Sequence, residues 1–573
     1  MGVPCRCSSP AIRYVRDRGN NRESRERPAR KDNGLYYAWE SVAAEDCAAF
    51  LSENVGAADQ ERTKNQNQKR AGTAMKVVLV NPNSQAEVYQ DLSENLTAIA
   101  PPIWCRLIKS YLRNKGIPAV IVDAGAFGTS PENTAEIVAD ICKGESSLVV
   151  VVVHGHNPSA TTQTMPSAIA TCKAIRDHVP QVPLLALGGH VAALPQGSLV
   201  ETGADFVCTG EGPVTVCELA LCLESHGRIE DVHGIGYSGD GIYAQNPPAP
   251  NVWDLTEMPG GCWDVLPMQI YRAHNHHAWT NDFERKPYAT IYTSLGCPHN
   301  CLFCQIQTPF RQGDLLKHSG KIANSYRLWP TDLIMEEIVN LVETYGVTNI
   351  RIDDEMFLLN KNHVESICKA VTERYGDSLN FWAYTRIDTV RDEKLLDTMR
   401  AAGVKWLCPG IESESNDVRD GIDKGQYGRA DIIKACNMMR DHGINILANF
   451  IFGLPTDTVE SMERTFQLGL EIMPEFWNGY SCMALPGSAL YRDHPYDGAE
   501  GGWLSYAQYS KWTKPMPTET LTPAQVLRFR DTAARRFFSD QSYQAMVVKK
   551  FGPRALDEVK HIAGHKIERS LLS

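Results

Sequence analysis

The chain has 573 residues, 43% of them hydrophobic, 17 cysteines and a net charge of −11 at neutral pH. That is length enough for about three to four domains, each burying its own core. The acidic balance disfavours nucleic acid as a partner, since phosphate binding announces itself as a basic patch or stripe. The longest aliphatic run, Leu148 to Val153, is far short of the roughly 20 residues of a membrane span.

Residues 1–74 are polar, rich in Arg, Asn, Gln and Glu, and show no sustained apolar period. A targeting peptide is poor in acids, whereas Asp17, Glu23 and Glu26 lie here among the arginines. This stretch is expected to be disordered or a spurious extension ahead of a true start at Met75. With no signal peptide before the first domain, the expected location is the cytoplasm. The cysteines fit that compartment: Cys172, Cys208, Cys408 and Cys436 are scattered singly through predicted strands and helices, as reduced buried thiols are.

From Met75 to about residue 225, strand-like runs at 76–81, 118–123, 148–153, 183–188 and 205–209 alternate with helical patterns. Five βα units predict an α/β, doubly wound, Rossmann-like parallel sheet. Ligands of such sheets lie beyond the carboxyl ends of the strands. The loops there contain Asn83, Ser159, Gly188, Gly189, His190, Gly210 and Glu211. A Pro-rich linker follows from Asn246, with residues 246–286 assigned to it.

From Tyr288 a second series begins, with strands predicted near 288–294, 348–354, 380–387, 405–412, 444–452 and 477–484. Asp457 and Glu460 are expected to form a capping box before a helix over 458–472. Six βα units predict a partial barrel over residues 287–490, with its site at the carboxyl ends of the strands. A helical C-terminal region is expected over 491–573. His274, His276 and His277 precede the barrel and lack a carboxylate or Cys at ligand spacing, which suggests a loop over the substrate rather than a metal site.

Directly after the first barrel strand, residues 297–304 read Cys-Pro-His-Asn-Cys-Leu-Phe-Cys. Three thiolates from one short loop hold a 4Fe-4S cluster with one iron open, because such clusters otherwise take four cysteines. A zinc knuckle would want a fourth Cys or His at ligand spacing. This C-x-x-x-C-x-x-C loop resembles the signature of the radical S-adenosylmethionine (SAM) enzymes, over about residues 287–490. The resemblance implies Cys297, Cys301 and Cys304 as cluster ligands, with SAM chelating the open iron. It implies SAM contacts from Phe303, Glu355, Arg386, Glu412 and Gly453. For these residues the plain readings stand beside the functional ones: core packing for Phe303, structural ion pairs for Arg386 and Glu412, a strand-to-helix turn for Gly453. Asp353, Asp354 and Glu355 end the second barrel strand, where they meet either SAM, substrate or solvent.

Residues 75–245 resemble the cobalamin-binding domain that precedes the barrel in one class of radical SAM enzymes. Ser159 and the pair Gly188-Gly189 stand where such domains receive the corrinoid's nucleotide tail, and glycines permit close backbone approach. Gly210 and Glu211 are typical of the class. The D-x-H-x-x-G loop of other cobalamin proteins is replaced by Asn81 to Gln85, so no histidine from that loop reaches cobalt; His156 is a weaker candidate. No G-x-G-x-x-G follows the first strand, which counts against a dinucleotide.

The resemblance implies an enzyme using a 4Fe-4S cluster, SAM and cobalamin, fed by a one-electron donor such as flavodoxin or ferredoxin. Its expected reaction is methylation of an unactivated carbon, or of phosphorus, in a small molecule, lipid or peptide. Alternatives are a cyclase, rearrangement or oxygen-inserting enzyme with the same cofactors and no methyl transfer, and a non-catalytic cobalamin sensor or carrier. A methylthiotransferase needs a second cluster, whereas Cys105, Cys142 and Cys172 fall in predicted helices.

Overall fold

The computed structural model describes residues 75–154, 158–320, 323–425 and 427–573. The reading of residues 1–74 falls outside them.

Five buried runs form the first sheet: β1 (Lys76–Asn81), β2 (Ala119–Asp123), β3 (Ser147–Val153), β4 (Leu184–Gly188) and β5 (Phe206–Cys208). They pair in parallel in the order β2-β1-β3-β4-β5. Every residue of β3 is buried, which explains its unbroken valines: a strand covered on both faces has no polar side to show. The chain order reverses at β1, between β2 and β3, and this reversal opens a crevice at the carboxyl edge. The sheet then gains an antiparallel hairpin, β6 (Ile235–Gly239) and β7 (Ile242–Gln245). Its turn residues, Asp240 and Gly241, both have positive φ, at 50° and 77°. Asp-Gly is a strong hairpin signal that the sequence reading passed over.

Segment 246–286 is no free spacer. Val252, Met258, Trp263, Met268 and Tyr271 are buried in a core shared by the two sheets. The Tyr271 hydroxyl donates to Asp123 Oδ2 at 2.8 Å. Arg106, on the helix Ile103–Asn114, donates to Gly261 O at 2.9 Å, Glu337 Oε1 at 2.8 Å and Thr290 O at 3.0 Å. Its guanidinium lies 3.5 Å from the centre of the Trp263 ring. One buried cation thus bolts the first sheet, the strap and the barrel together.

The barrel begins at β8 (Tyr288–Ile291). A short antiparallel ladder, β9 (Ser294–Leu295) with β10 (Arg327–Leu328), stands beside it. Then come β11 (Asn349–Ile352), β12 (Asn380–Arg386), β13 (Val404–Glu412), β14 (Asn445–Phe452) and β15 (Phe476–Ser481). β8 and β11–β15 pair in parallel in chain order, and no ladder joins β15 back to β8 among the described residues. The result is the expected partial (βα)6 barrel with an open seam.

Two local expectations are corrected. The helix Val459–Ile472 is capped by Thr458, whose Oγ1 accepts from Ser461 N at 3.3 Å while Ser461 Oγ accepts from Thr458 N at 2.9 Å. Asp457 turns inward instead, accepting from the backbone of Gly453 and Leu454, each at 3.0 Å. The C-terminal region expected to be helical from 491 forms its long helices only from Pro523, over Pro523–Phe538, Gln541–Phe551 and Pro553–Gly564. Pro495, Gly498, Gly501, Gly502, Pro515 and Pro517 break the intervening chain. The helix Pro523–Phe538 packs on β15, with Phe537 stacked 5.4 Å from Trp477.

Candidate functional site

Strand pleating sets out the barrel interior in rungs, since inward residues recur every second position. From the amino to the carboxyl end, β12 offers Trp382, Tyr384 and Arg386, β14 offers Leu447, Asn449 and Ile451, and β15 offers Phe476, Asn478 and Tyr480. All nine line one cavity of about 660 Å³, within the roughly 300–1,000 Å³ usual for ligand sites.

Cys297, Cys301 and Cys304 line its carboxyl-end mouth, together with Phe303, Glu355, Arg386 and Glu412. Their loop is fastened from several sides. Asp354, expected at a strand end facing SAM or solvent, accepts instead from Thr293 N at 2.6 Å and Ser294 Oγ at 2.6 Å. Gly296 has φ 89°, and a Cβ there would lie 2.4 Å from Ser325 O, so only glycine fits. Gly296 N donates to Glu355 Oε2 at 3.2 Å, and Gln307 Nε2 donates to Cys297 O. Burial pushes the free thiols up, Cys297 to about 11 and Cys304 to about 12, and pushes the Glu355 carboxyl up to about 8.

Arg386 makes a fork to Asp388, with both contacts at 3.0 Å, and its Nη1 lies 3.4 Å from Cys301 Sγ. Glu412 is paired with Lys424 at 2.5 Å. Both structural ion pairs weighed from the sequence are therefore present. Asp353 is likewise bound to Arg351. Lys424 was not anticipated; it lies in a loop without periodicity, and no local signal marks it.

Gly453 does not line the cavity. Its φ is 82°, and a Cβ would lie 2.4 Å from Val526 Cγ1, so its lack of a side chain answers to helix packing. The histidine segment expected over the substrate stands at the far end of the cavity, where His274 and His276 line it. His277 Nε2 sits 2.9 Å from the carbonyl of Asn380, and the His276 ring stacks 4.2 Å from Phe476. Asn380 and Phe476 are the first residues of their strands, so this segment plugs the end opposite the cysteines.

At the carboxyl edge of the first sheet, Gly188 has φ 146°, and a Cβ would fall 2.0 Å from Val153 O. Gly189 passes Thr161, while Gly210 has only Pro309 O near, at 3.8 Å, which leaves room above it. His190 Nδ1 meets Thr162 Oγ1 at 3.2 Å, and its ring meets the edge of Trp503. Glu211 is committed elsewhere: its carboxylate takes Arg327 at 2.8 Å and Val252 N at 2.7 Å, which ties it to the barrel. Asn83 closes its own turn, accepting from Gln85 N at 3.3 Å. His156 and the Ser159 side chain lie outside the described residues. His154, in the loop after β3, stacks on Trp104 at 4.5 Å with both ring nitrogens buried and unpartnered among the described residues, and burial lowers it to about 3.

A smaller crevice at this edge is lined by Asn81, Gln85, Gly125 and His154, and it shares Tyr89, Gln163, Arg351 and Asp353 with the barrel cavity. Among the described residues, no three His, Cys, Asp or Glu groups converge on a single ion. A four-iron cube takes its thiolates at three different irons, so the three-cysteine rim of a large cavity suits it. Gly210, with space around it among the described residues, and the unpartnered His154 in the crevice suit a polar ligand at this edge. Among the described residues no helix is long and apolar enough to cross a membrane.

Comparison with known proteins matches residues 291–469 to the radical SAM superfamily and residues 89–220 to the B12 binding domain. An uncharacterized methyltransferase of Pyrococcus horikoshii is 26% identical over 418 residues, 73% of this chain and 82% of that protein. The anaerobic magnesium-protoporphyrin IX monomethyl ester cyclase of Synechocystis is 28% identical over 68% of this chain and 71% of that protein. In fold, the chain is similar to the radical SAM methyltransferase TsrM of Kitasatospora setae, with a TM-score of 0.58, 16% identity and 82% of each chain covered.

Proposed function

The chain is a radical SAM enzyme carrying a B12-binding domain, and on that premise we propose that it methylates an unactivated carbon, or phosphorus, of a small molecule, lipid or peptide. The observation that carries this reading is the shared wall. Tyr89, Gln163, Arg351 and Asp353 border both the cavity at the cysteine loop and the crevice of the first sheet. A substrate held there faces both sites at once, which is the requirement for activating a position at one and methylating it from the other.

In this reading Cys297, Cys301 and Cys304 hold a 4Fe-4S cluster, with Phe303, Glu355 and Glu412 on the SAM side. The carboxyl edge of the first sheet, around Gly188, Gly189, His190 and Gly210, receives cobalamin. When bound, the cluster supplies the electron that cleaves SAM, and cobalamin carries the methyl group. The protein's share is position and dryness. Arg386 steadies Cys301 from the side, Lys424 fixes Glu412, and Trp382, Leu447 and Ile451 keep water from a reactive substrate. A one-electron donor such as flavodoxin or ferredoxin would serve it in the cytoplasm.

Similarity to the magnesium-protoporphyrin cyclases supports a second reading, the same cofactors without methyl transfer. Deuteromethyl SAM separates the two. Label in the cobalamin pool and then in product supports methyl transfer; 5′-deoxyadenosine formed with substrate but with no label in either overturns it.

A further inference from the structure

Resting on that reading, the cavity wall indicates which kind of substrate it holds. Five tyrosines from three parts of the chain line one space: Tyr89 beside the first sheet, Tyr384 on β12, Tyr480 on β15, and Tyr506 and Tyr509 ahead of the C-terminal helices. The rings of Tyr89 and Tyr509 lie 5.9 Å apart. The hydroxyls of Tyr384 and Tyr480 line the cavity with no hydrogen-bond partner among the described residues. Burial pushes the phenols of Tyr89, Tyr384 and Tyr480 up, that of Tyr89 to about 12, so at neutral pH they are protonated donors.

Beside them the charge is unequal. Arg530 donates to Gly479 O at 2.7 Å and pairs with Asp531 at 2.8 Å, and Arg569 pairs with the same carboxylate at 2.9 Å. The Arg530 guanidinium also lies 4.8 Å from the centre of the Tyr509 ring. Two guanidiniums around one carboxylate, with Arg535 and Lys566 also on the cavity lining, leave positive charge in surplus. Next to Tyr384, Arg351 with Asp353, and at the mouth Lys424 with Glu412, are each balanced. Toward the amino end the lining turns apolar and aromatic, with Trp382, Leu447 and Phe476.

We propose that this wall receives a carboxylate on an otherwise hydrophobic substrate, with the carboxylate against the hydroxyls of Tyr384 and Tyr480 near Arg530 and the apolar body on Trp382, Leu447 and Phe476. A neutral substrate would leave two enclosed hydroxyl donors unused.

The test uses the full chain loaded with its cofactors and two probes of one shape, 2-naphthoate and its methyl ester, followed by quenching of tryptophan fluorescence. The wild type should bind the acid about tenfold or more tighter than the ester, the scale of a hydrogen bond to a charged group. In the Tyr384→Phe/Tyr480→Phe double variant, acid and ester should bind alike, with each single variant between. SAM binding in the variants, read by equilibrium dialysis, should be unchanged and shows that the barrel is folded. Equal binding of acid and ester by the wild type, binding of neither, or a preference that survives in the double variant overturns the inference. Cleavage of SAM by the same wild-type preparation reports on the underlying reading by itself. If cleavage is absent, that reading fails; if cleavage is present without acid preference, only the carboxylate wall fails.

Discussion

The Lys424 ammonium lies 2.5 Å from a carboxylate oxygen of Glu412, and each side chain is only 7% exposed. Glu412 sits where β13 slips register against β14, at a φ of 64° that a side-chain-bearing residue rarely adopts. A Cβ on Gly410 would lie 2.6 Å from Glu412 Oε1 and 2.9 Å from Lys424 Nζ. A bulge, a strained backbone and a missing side chain thus converge to hold one buried ion pair at the cavity mouth.

Breaking that pair should cost more than removing it. Lys424→Met strands a buried carboxylate and should destabilise the protein by about 3–5 kcal/mol. Glu412→Gln/Lys424→Met should recover most of that loss in chemical denaturation, although SAM binding should still fall. A double variant no more stable than the single one would show that the pair does not act as a unit.

Gly453 should resist substitution for two separable reasons. Gly453→Ala meets Val526 at 2.4 Å and a φ of 82°, for a combined cost of about 2–4 kcal/mol. Val526→Ala removes the clash but not the backbone strain. The two substitutions should therefore be non-additive in a thermal or denaturant double-mutant cycle, with the pair less damaging than the sum of the singles. Strict additivity would refute the contact.

Asp457 gives stability a pH dependence. Burial raises its carboxyl from the ordinary 3.8 to about 6, although Ser461 Oγ and two backbone N–H groups donate to it. A group with a raised folded pKa favours the fold fully below its unfolded value, and that contribution is lost as pH rises through about 4 to 6. The loss is about 3 kcal/mol at the usual conversion. Asp457→Asn should lose less stability than the parent between pH 4 and pH 7, compared by melting curves. Parallel curves would argue that the carboxyl is ionised throughout.

The two halves of the site should be separable. Replacing Cys297, Cys301 and Cys304 by Ala should remove iron, sulfide and all 5′-deoxyadenosine formation, while the corrinoid spectrum survives desalting. Those thiols line the barrel mouth, whereas Gly188 and Gly210 lie on the other sheet. Iron retained at wild-type level would place the cluster elsewhere.

The sequence by itself determined the architecture and the cysteine loop, and it did so through short-range signals. An unbroken valine run such as β3 can only be a strand covered on both faces, and six such strands in series can only curl one way. Cys297, Cys301 and Cys304 were legible because three ligands within eight residues converge whatever the rest of the chain does. Tertiary structure alone decided everything that depends on partners far apart in the chain. Arg106 meets Glu337, Tyr271 meets Asp123, and Glu211 is drawn away to Arg327. His276, in the loop expected over the substrate, stacks on Phe476 at the end opposite the cysteines. Periodicity says which face of an element is buried, but not which other element covers it, and a charged residue carries no mark of its distant counterion. Tyr89, Tyr384, Tyr480 and Tyr509 are unremarkable one at a time, and only closure of the barrel seam by the first sheet and the C-terminal segment gathers them on one wall.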